Sequence, residues 1–320
     1  MKYSLLALLL CQLLQPVAWA ADTMRAMVLV DGNLHAETVP VPQPQSGQVR
    51  IHVRAASVNP VDWKLAERAT PGSRSIPGRD LAGVIDAVGP DAGAWHAGQS
   101  VIAVATGGSY AEYAIASIHA VALKPAHMSF DEAAGMPVVG ETAWRAMVTV
   151  GNVQPGQRVL IHGAAGGVGS SAVQIAKARG AHVIATASPS HNTLLHSLGA
   201  DEIIDYHSVR FEDTVKDLDV VLNTVDADTA TRSIAVVKTG GILVSVAGAV
   251  PPAPCAAAHI RCAVTGSVTG EFLGELVELA NREHFHISID QKLPLADAAK
   301  AWDLNRGGHT GGKIILEVSH

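Results

Sequence analysis

The period of the apolar positions changes at residue 162, and this change predicts a strand followed by a helix. An apolar run at residues 159–161 leads into a glycine-rich segment, 163–169. Apolar side chains then recur at helical spacing at Val168, Ala172, Val173, Ile175 and Ala176. A second β-branched run, 182–187, follows after Gly180, a residue typical of helix ends. The pattern therefore predicts one βαβ unit.

The same alternation of strand and helix continues through the second half of the chain. The pattern predicts helices over 192–198, 208–216 and 228–237, and strands over 202–206, 219–225 and 242–248. This alternation is typical of an α/β fold with a doubly wound parallel sheet of the Rossmann type, which binds ligands at the carboxyl ends of its strands. Residues 250–259 are rich in proline and predict an irregular loop, and further helices are expected over 271–281 and 295–302.

The first half of the chain has a different pattern, with short alternating segments separated by glycine turns. Residues 24–30 and 34–39 flank Asp31-Gly32-Asn33 and predict a hairpin. Further strands are expected over 48–55, 80–89, 100–105 and 109–115, with Gly83 marking a bulge. The pattern predicts a β-rich, barrel-like domain that ends in two helices, the first beginning at Ser129 with Glu132 at the capping-box position.

The glycine-rich segment is the first candidate for chemistry. Gly163, Gly166 and Gly169 have the spacing G-x-x-G-x-x-G rather than G-x-G-x-x-G, but they lie between a strand and a helix as a dinucleotide site requires. Backbone N–H groups at such a helix start can hold a pyrophosphate, and a Cβ would block its approach. The alternative is an ordinary structural turn, and we favour the dinucleotide site.

The end of the following strand favours NADP over NAD. A carboxylate about 20 residues beyond the glycines would bind the ribose 2′-hydroxyl of NAD. This chain instead has Ser188 at that point, followed by Pro189 and Ser190. We therefore expect Ser188 to bind the 2′-phosphate. Candidates for additional contacts are Lys177, His191 and Tyr206.

Composition excludes several classes of partner. The 320-residue chain is 48% hydrophobic, with a formal net charge of −6 and no dense run of Lys or Arg, so neither nucleic acid nor an anionic membrane is an expected partner. Its cysteines, Cys11, Cys255 and Cys262, show no zinc-ligand spacing. Cys255 and Cys262 either pair as a disulfide or remain two buried thiols.

The amino terminus resembles a secretory signal. Lys2 precedes a short apolar run, 5–14, that is too short to span a bilayer, and Ala18-Trp19-Ala20 has the pattern of a cleavage site. We therefore predict a Sec signal peptide over 1–20 and a periplasmic or secreted protein without a stable membrane anchor. If translation starts at Met24, the expected location is the cytoplasm.

Several motifs together resemble one enzyme family. Residues 57–64 (Ser-Val-Asn-Pro-Val-Asp-Trp-Lys), 77–84 (Pro-Gly-Arg-Asp-Leu-Ala-Gly-Val), 140–144 (Gly-Glu-Thr-Ala-Trp) and 162–169 are similar to the zinc-free quinone oxidoreductase (ζ-crystallin-like) branch of the medium-chain dehydrogenase/reductases. The resemblance implies a GroES-like catalytic domain over 24–147, completed by 283–320. It also implies an inserted NADP-binding Rossmann domain over 148–282, and a homodimer.

The resemblance further implies the reaction and its site. The catalytic Cys and the Gly-His-Glu of zinc-dependent relatives are absent, and these regions contain Asn59 and residues 78–80. Without a Lewis acid, reduction of a quinone or an α,β-unsaturated carbonyl by NADPH is easier than reduction of a simple ketone, because the hydride's charge is delocalised. The alternatives are a 2-alkenal or enoyl reductase, and a non-catalytic NADPH-binding protein.

The residues predicted to form the site fall into two groups. The catalytic candidates are Asn59, Asp62 and Thr142. The cofactor-binding candidates are Asn59, Thr142, Ala165, Gly166, Gly167, Val168, Ser188, Tyr206, Val246, Ala247, Gly248 and Lys313. No metal ligand is predicted. Asp226 stands where relatives often have glycine, so its carboxylate is expected near the cofactor, where it would weaken nicotinamide binding.

Overall fold

A computed structural model describes residues 22–308 and 310–318, so the predicted signal peptide lies outside the described residues. The first strands are β1 (Thr23–Val30), β2 (Asn33–Pro40), β3 (Gln48–Ser57), β4 (Arg74–Ser75), β5 (Asp80–Val88), β6 (Ser100–Val104), β7 (Tyr113–Ser117) and β8 (Val121–Leu123). The first helices are α1 (Pro60–Ala66), α2 (Phe130–Ala134) and α3 (Pro137–Trp144). Helix α3 continues as a π-helical segment, Arg145–Val150.

The rest of the chain alternates between strand and helix. In chain order the elements are β9 (Arg158–Ile161), α4 (Gly167–Ala178), β10 (His182–Ala187), α5 (Asn192–Ser197), β11 (Glu202–Asp205), β12 (Leu218–Asn223), α6 (Ala227–Ser233), β13 (Val237–Ser245), α7 (Pro252–Ala257), β14 (Arg261–Val264), α8 (Leu273–Glu283), β15 (Ile289–Pro294), α9 (Ala298–Arg306) and β16 (Lys313–Glu317). Short 3-10 turns connect some of them, including Pro189–His191 and Phe211–Asp213.

The parallel sheet confirms the predicted Rossmann topology. Its strand order is β11-β10-β9-β12-β13-β14, and every neighbouring pair runs parallel. The order reverses between β9 and β12, which places a ligand crevice at the carboxyl ends of these central strands. The predicted apolar stripe of α4 is buried against this sheet, with Ala172, Val173, Ile175 and Ala176 almost inaccessible.

A second, mixed sheet combines strands from both ends of the chain. Its order is β15-β16-β3-β5-β6-β8, with β7 also paired to β3, while β1 pairs with β2 and β4 in a small separate sheet. Strand β16 runs antiparallel to β3, with Ile315 opposite Ser57. The structure thus contains the β-rich part expected of a GroES-like domain. The exact domain boundaries, 24–147 with 283–320 and 148–282, stay a prediction.

The expected bulge lies beside Gly83. The register of β3 against β5 shifts between the pairs Val53–Gly83 and Ala55–Ala82. A Cβ on Gly83 would lie 2.3 Å from the carbonyl oxygen of His52, so only glycine allows the two strands to approach this closely.

Two local predictions are wrong. The helix expected over 208–216 is a single 3-10 turn, because Asp217 adopts a left-handed φ of 56° immediately before β12. The irregular loop expected over 250–259 contains α7, since Pro252 is tolerated in a first helical turn and the alanines after it favour helix. Cys255 of α7 is joined by a disulfide to Cys262 of β14, which resolves the two alternatives for these cysteines.

Candidate active site

The glycine turn between β9 and α4 forms an open cradle at the carboxyl edge of the parallel sheet. Gly163 has a φ of 64°, in the region that favours glycine. A Cβ on Gly169 would lie 2.2 Å from the carbonyl oxygen of Gly163, and a Cβ on Gly167 would lie 2.9 Å from Val139 Cγ1. No side chain caps the start of α4, which begins after Gly166. The turn therefore leaves the first N–H groups of the helix available to an anion.

A buried polar cluster faces this cradle from the mixed sheet. Asn59 Nδ2 donates to Asp80 Oδ2 at 2.8 Å, and Asn59 Oδ1 accepts from Lys313 Nζ at 2.6 Å. The other Asp80 oxygen, Oδ1, accepts from the backbone N–H of Val138 at 2.8 Å. Since both ends of the Asn59 amide are bound, its orientation is fixed.

Lys313 joins the cradle to the cluster. Its Cδ would lie 3.2 Å from a Cβ built on Gly167, so the stem runs beside the turn. Its ammonium donates to the carbonyl of Val58 and lies 3.8 Å from Asp80 Oδ2. Burial lowers the pKa of Lys313 and raises that of Asp80, and the attraction between the two charges opposes both shifts.

Asp62 is buried on the other side of Asn59. Its Oδ2 accepts from the backbone N–H of Asn59 and from the hydroxyl of Tyr110, both at 2.9 Å, while Oδ1 has no hydrogen-bond partner within the described structure. Burial raises the pKa of Asp62 to about 7, and the nearby charge of Asp80 acts in the same direction. Asp62 thus both caps α1 and is able to exchange a proton near neutral pH.

The remaining predicted residues lie along the same edge of the parallel sheet or on α3. Thr142 Oγ1 donates to the carbonyl of Val138 at 2.7 Å. Val138 lies one helical turn before Thr142, and its own N–H binds Asp80. Ser188 follows β10, and its hydroxyl lies 2.9 Å from His191 Nδ1. Tyr206 follows β11 and is 57% exposed. Residues 246–248 follow β13, and Gly248 has a φ of 87°.

Asp226 has a local structural role. It is the N-cap of α6, where its Oδ1 accepts from the backbone N–H of Thr229 at 2.7 Å. This bond lowers the pKa of Asp226, so the carboxylate is ionised and turned toward its own helix. The carboxylate therefore caps α6, and its effect on nicotinamide binding stays a prediction.

Sequence reasoning missed Asp80, Tyr110 and Glu141 as parts of the site. Asp80 is the first residue of a strand that is otherwise largely apolar, and Glu141 lies in the mostly buried helix α3. A charged residue in such surroundings indicates a buried polar site, because burial of an unpaired charge is costly. Tyr110 gave no signal from its neighbours in sequence, because its partner Asp62 lies 48 residues away.

Two features are absent from the described residues. Across 22–308 and 310–318, no group of three or more His, Cys, Asp or Glu residues is placed to hold a metal ion. In the same residues, no helix has the length and apolar character needed to cross a bilayer.

Comparisons with known proteins agree with this architecture. The family profile described as the alcohol dehydrogenase GroES-like domain matches residues 45–126, and the profile described as zinc-binding dehydrogenase matches residues 198–316. The solved structure of a quinone oxidoreductase from Coxiella burnetii is 31% identical, covers 93% of this chain and all of its own, and superposes with a TM-score of 0.83.

Curated relatives also match over most of the chain. The quinone-oxidoreductase QR1, chloroplastic, of Triphysaria versicolor is 32% identical, over 89% of this chain and 94% of the relative. The NADPH-dependent alkenal/one oxidoreductase, chloroplastic, of Arabidopsis thaliana is 33% identical, over 86% of this chain and 73% of the relative.

These names contradict the prediction that the chain is exported. Both relatives are described as chloroplast proteins, and two further relatives, from Spinacia oleracea and Arabidopsis thaliana, are also named for the chloroplast. The prediction of a secretory signal over 1–20 is therefore wrong by this comparison.

The match to QR1 covers most of both chains, and the solved relative shares the overall fold. The chain therefore belongs to the zinc-free quinone oxidoreductase branch of the medium-chain dehydrogenase/reductases, and it is an oxidoreductase.

Proposed function

We propose that the chain uses NADPH to reduce quinones or α,β-unsaturated carbonyls without zinc. The observation that carries this proposal is Lys313, whose stem lies beside the glycine turn and whose ammonium holds Asn59. If the phosphates of a dinucleotide lie at the turn, the rest of the dinucleotide can extend to the buried cluster of Asn59, Asp80 and Lys313. The relatives named as quinone and alkenal/one oxidoreductases support the substrate class.

The chain's own residues fit the cofactor. The backbone of Ala165, Gly166, Gly167 and Val168 would hold the pyrophosphate, since a side chain on Gly167 or Gly169 would collide with its surroundings. The Val246-Ala247-Gly248 segment would lie beside the nicotinamide, together with Asn59, Thr142 and Lys313.

The preference for NADPH rests on the end of β10. Ser188 stands where an NAD-binding protein would have a carboxylate, and its hydroxyl lies within hydrogen-bond distance of Ser190 and His191. This hydroxyl group, with Tyr206 after the neighbouring strand β11, would bind a 2′-phosphate, which an acidic residue would repel.

Each catalytic candidate has a specific proposed task. Bound NADPH supplies the hydride. Asn59 provides a fixed amide because Asp80 and Lys313 hold both of its ends. The hydroxyl of Thr142 donates a hydrogen bond to the carbonyl of Val138, so its oxygen remains an acceptor for a carboxamide N–H. Asp62, with a pKa of about 7, can hold and release a proton for the site.

The test is oxidation of NADPH by the full chain against a panel of quinones and enones, with NADH assayed in parallel. We expect turnover with at least one acceptor class and a clear preference for NADPH. Lys313→Met should abolish most of it, whereas Lys292→Met, which removes a half-exposed lysine from the adjacent strand β15, should not. Binding of NADPH without turnover on any acceptor would contradict the proposal.

We also propose that the chain forms a homodimer through the edge of the parallel sheet. Strand β14 is the last strand of that sheet, so its outer edge is open to pairing with a second copy, and Val264 at its end is 57% exposed. Val264→Lys should shift the sedimentation coefficient from that of a dimer toward that of a monomer. A wild-type protein that sediments as a monomer at every concentration would contradict the dimer.

A further inference from the structure

Arg79 has a buried donor that the rest of the protein does not use. Its Nη2 donates to the carbonyl of Val268 at 2.8 Å. Its Nε is buried and has no hydrogen-bond partner in the described structure. Within residues 22–308 and 310–318, the guanidinium also forms no ion pair.

A buried N–H of a cation that lacks an acceptor lowers the stability of the folded protein. A buried N–H without an acceptor loses its hydration and gains nothing in return, and the penalty is larger for a charged group. Such groups are rare in folded proteins, and they often mark a place where a ligand supplies the missing acceptor. Lys313 differs in this respect, because its ammonium already donates to Val58 and Asn59.

The partner of Arg79 is held rigidly. Val268 is followed by Thr269 and Gly270, whose backbone N–H groups donate to the carboxylate of Glu141 at 2.9 and 2.6 Å. Glu141 is fully buried and also accepts from Arg145 Nε at 3.1 Å. This clamp fixes the Val268 carbonyl, to which Arg79 donates.

Arg79 is coupled to the buried polar cluster through Asp80. It immediately precedes Asp80, which binds Asn59, and its charge opposes the rise in the pKa of Asp80. Glu141 of the clamp immediately precedes Thr142 on α3. Arg79 is therefore linked to both groups of site residues, through its neighbour Asp80 and through the clamp that holds Val268.

We propose that Arg79 is a catalytic residue whose free N–H binds the carbonyl oxygen of the acceptor and stabilises the oxyanion formed during reduction. This inference rests on the function proposed above. With an enone, the hydride forms a new C–H bond at the β-carbon, the π pair moves onto the carbonyl oxygen, and a proton from water at the α-carbon gives the saturated carbonyl. With a quinone, the hydride forms an O–H bond at one carbonyl oxygen, the π electrons move onto the other oxygen, and a proton from water gives the hydroquinone. In both cases NADPH becomes NADP⁺. A fixed cationic donor at that oxygen lowers the barrier.

The test compares Arg79→Ala, Arg79→Lys and a control, Arg74→Ala, which removes an exposed arginine of β4 in the small separate sheet. We expect kcat for the acceptor to fall by about 100- to 1000-fold in Arg79→Ala, with partial activity in Arg79→Lys and none of this loss in Arg74→Ala. NADPH affinity, measured by fluorescence titration, should remain at the wild-type value in all of them.

Chemical rescue separates catalysis from structure. Low concentrations of methylguanidine should restore part of the kcat of Arg79→Ala and leave the control unchanged, and melting temperatures will identify any variant that does not fold. Three results would overturn the assignment. The first is weaker NADPH binding in Arg79→Ala, and the second is an unchanged kcat in that variant. The third is a loss of kcat in both Arg79→Ala and Arg79→Lys that methylguanidine does not rescue although both variants are folded. If the wild type itself reduces no acceptor, the proposed function fails instead.

Discussion

The neutral state of His162 makes the cofactor cradle sensitive to acid. His162 ends β9 immediately before Gly163 and is buried. Its Nε2 lies 3.0 Å from Ser233 Oγ, whose own proton goes to the carbonyl of Thr229. Nε2 must therefore carry the proton, and Nδ1 accepts from the hydroxyl of Thr186 at 3.1 Å. A second proton on the ring would remove this acceptor.

Burial lowers the pKa of His162 from 6.5 to about 4, and Arg232 acts in the same direction. Because the folded pKa is depressed, the stabilisation is fully present above pH 6.5 and is lost as the pH falls toward 4. Each pH unit between these values corresponds to about 1.4 kcal/mol. Lowering the pH from about 7.5 to about 4.5 should therefore remove roughly 2.5 kcal/mol of unfolding free energy through this residue.

The assay is urea unfolding of wild type and His162→Gln at both pH values, followed by tryptophan fluorescence and by circular dichroism. Glutamine can donate to Ser233 but does not titrate, so the difference between the two proteins isolates the imidazole. We expect the unfolding free energy of wild type to fall by roughly 2.5 kcal/mol relative to that of the variant on acidification. The exposed His35→Gln serves as the control.

A stability difference between wild type and His162→Gln that stays constant from about pH 7.5 to about pH 4.5 would refute this reasoning, because it would mean that the folded protein binds the proton as readily as the unfolded chain. The comparison applies where the two spectroscopic probes unfold together.

Three further substitutions test the site. Gly169→Ala, elsewhere favourable in a helix, should here weaken NADPH binding, because the new Cβ would lie 2.2 Å from the Gly163 carbonyl; unchanged affinity in a titration would argue against the cradle. Glu141→Gln should lower unfolding free energy by about 2 kcal/mol, since charge-assisted bonds to two backbone N–H groups weaken; an unaltered melting temperature would contradict the clamp. Asp226→Asn should leave both stability and NADPH affinity unchanged, because asparagine also caps α6; tighter NADPH binding would restore the idea that this charge opposes the cofactor.

Local periodicity was sufficient for the Rossmann part of the fold. The run 159–161, the glycine turn and the stripe from Val168 to Ala176 predicted β9, the cradle and α4, because one buried face determines both the period and the element. The same reasoning failed at 208–216 and 250–259. There, a left-handed Asp217 and a helix that begins with proline decide the local structure over only a few residues.

Apart from these two segments, the chain's sequence by itself therefore determined the elements of the Rossmann part, its parallel sheet and the position of the glycine turn, since these depend mainly on neighbours within a few residues. Only the tertiary structure decided the chemistry of the cluster. Asp80, Lys313 and Asn59 come from three distant segments, and their hydrogen bonds exist only where β16 pairs with β3 and places Lys313 beside the turn. Burial, which sets the pKa of Asp62 and leaves Arg79 with an unused donor, is a property of the packed molecule and not of any local pattern.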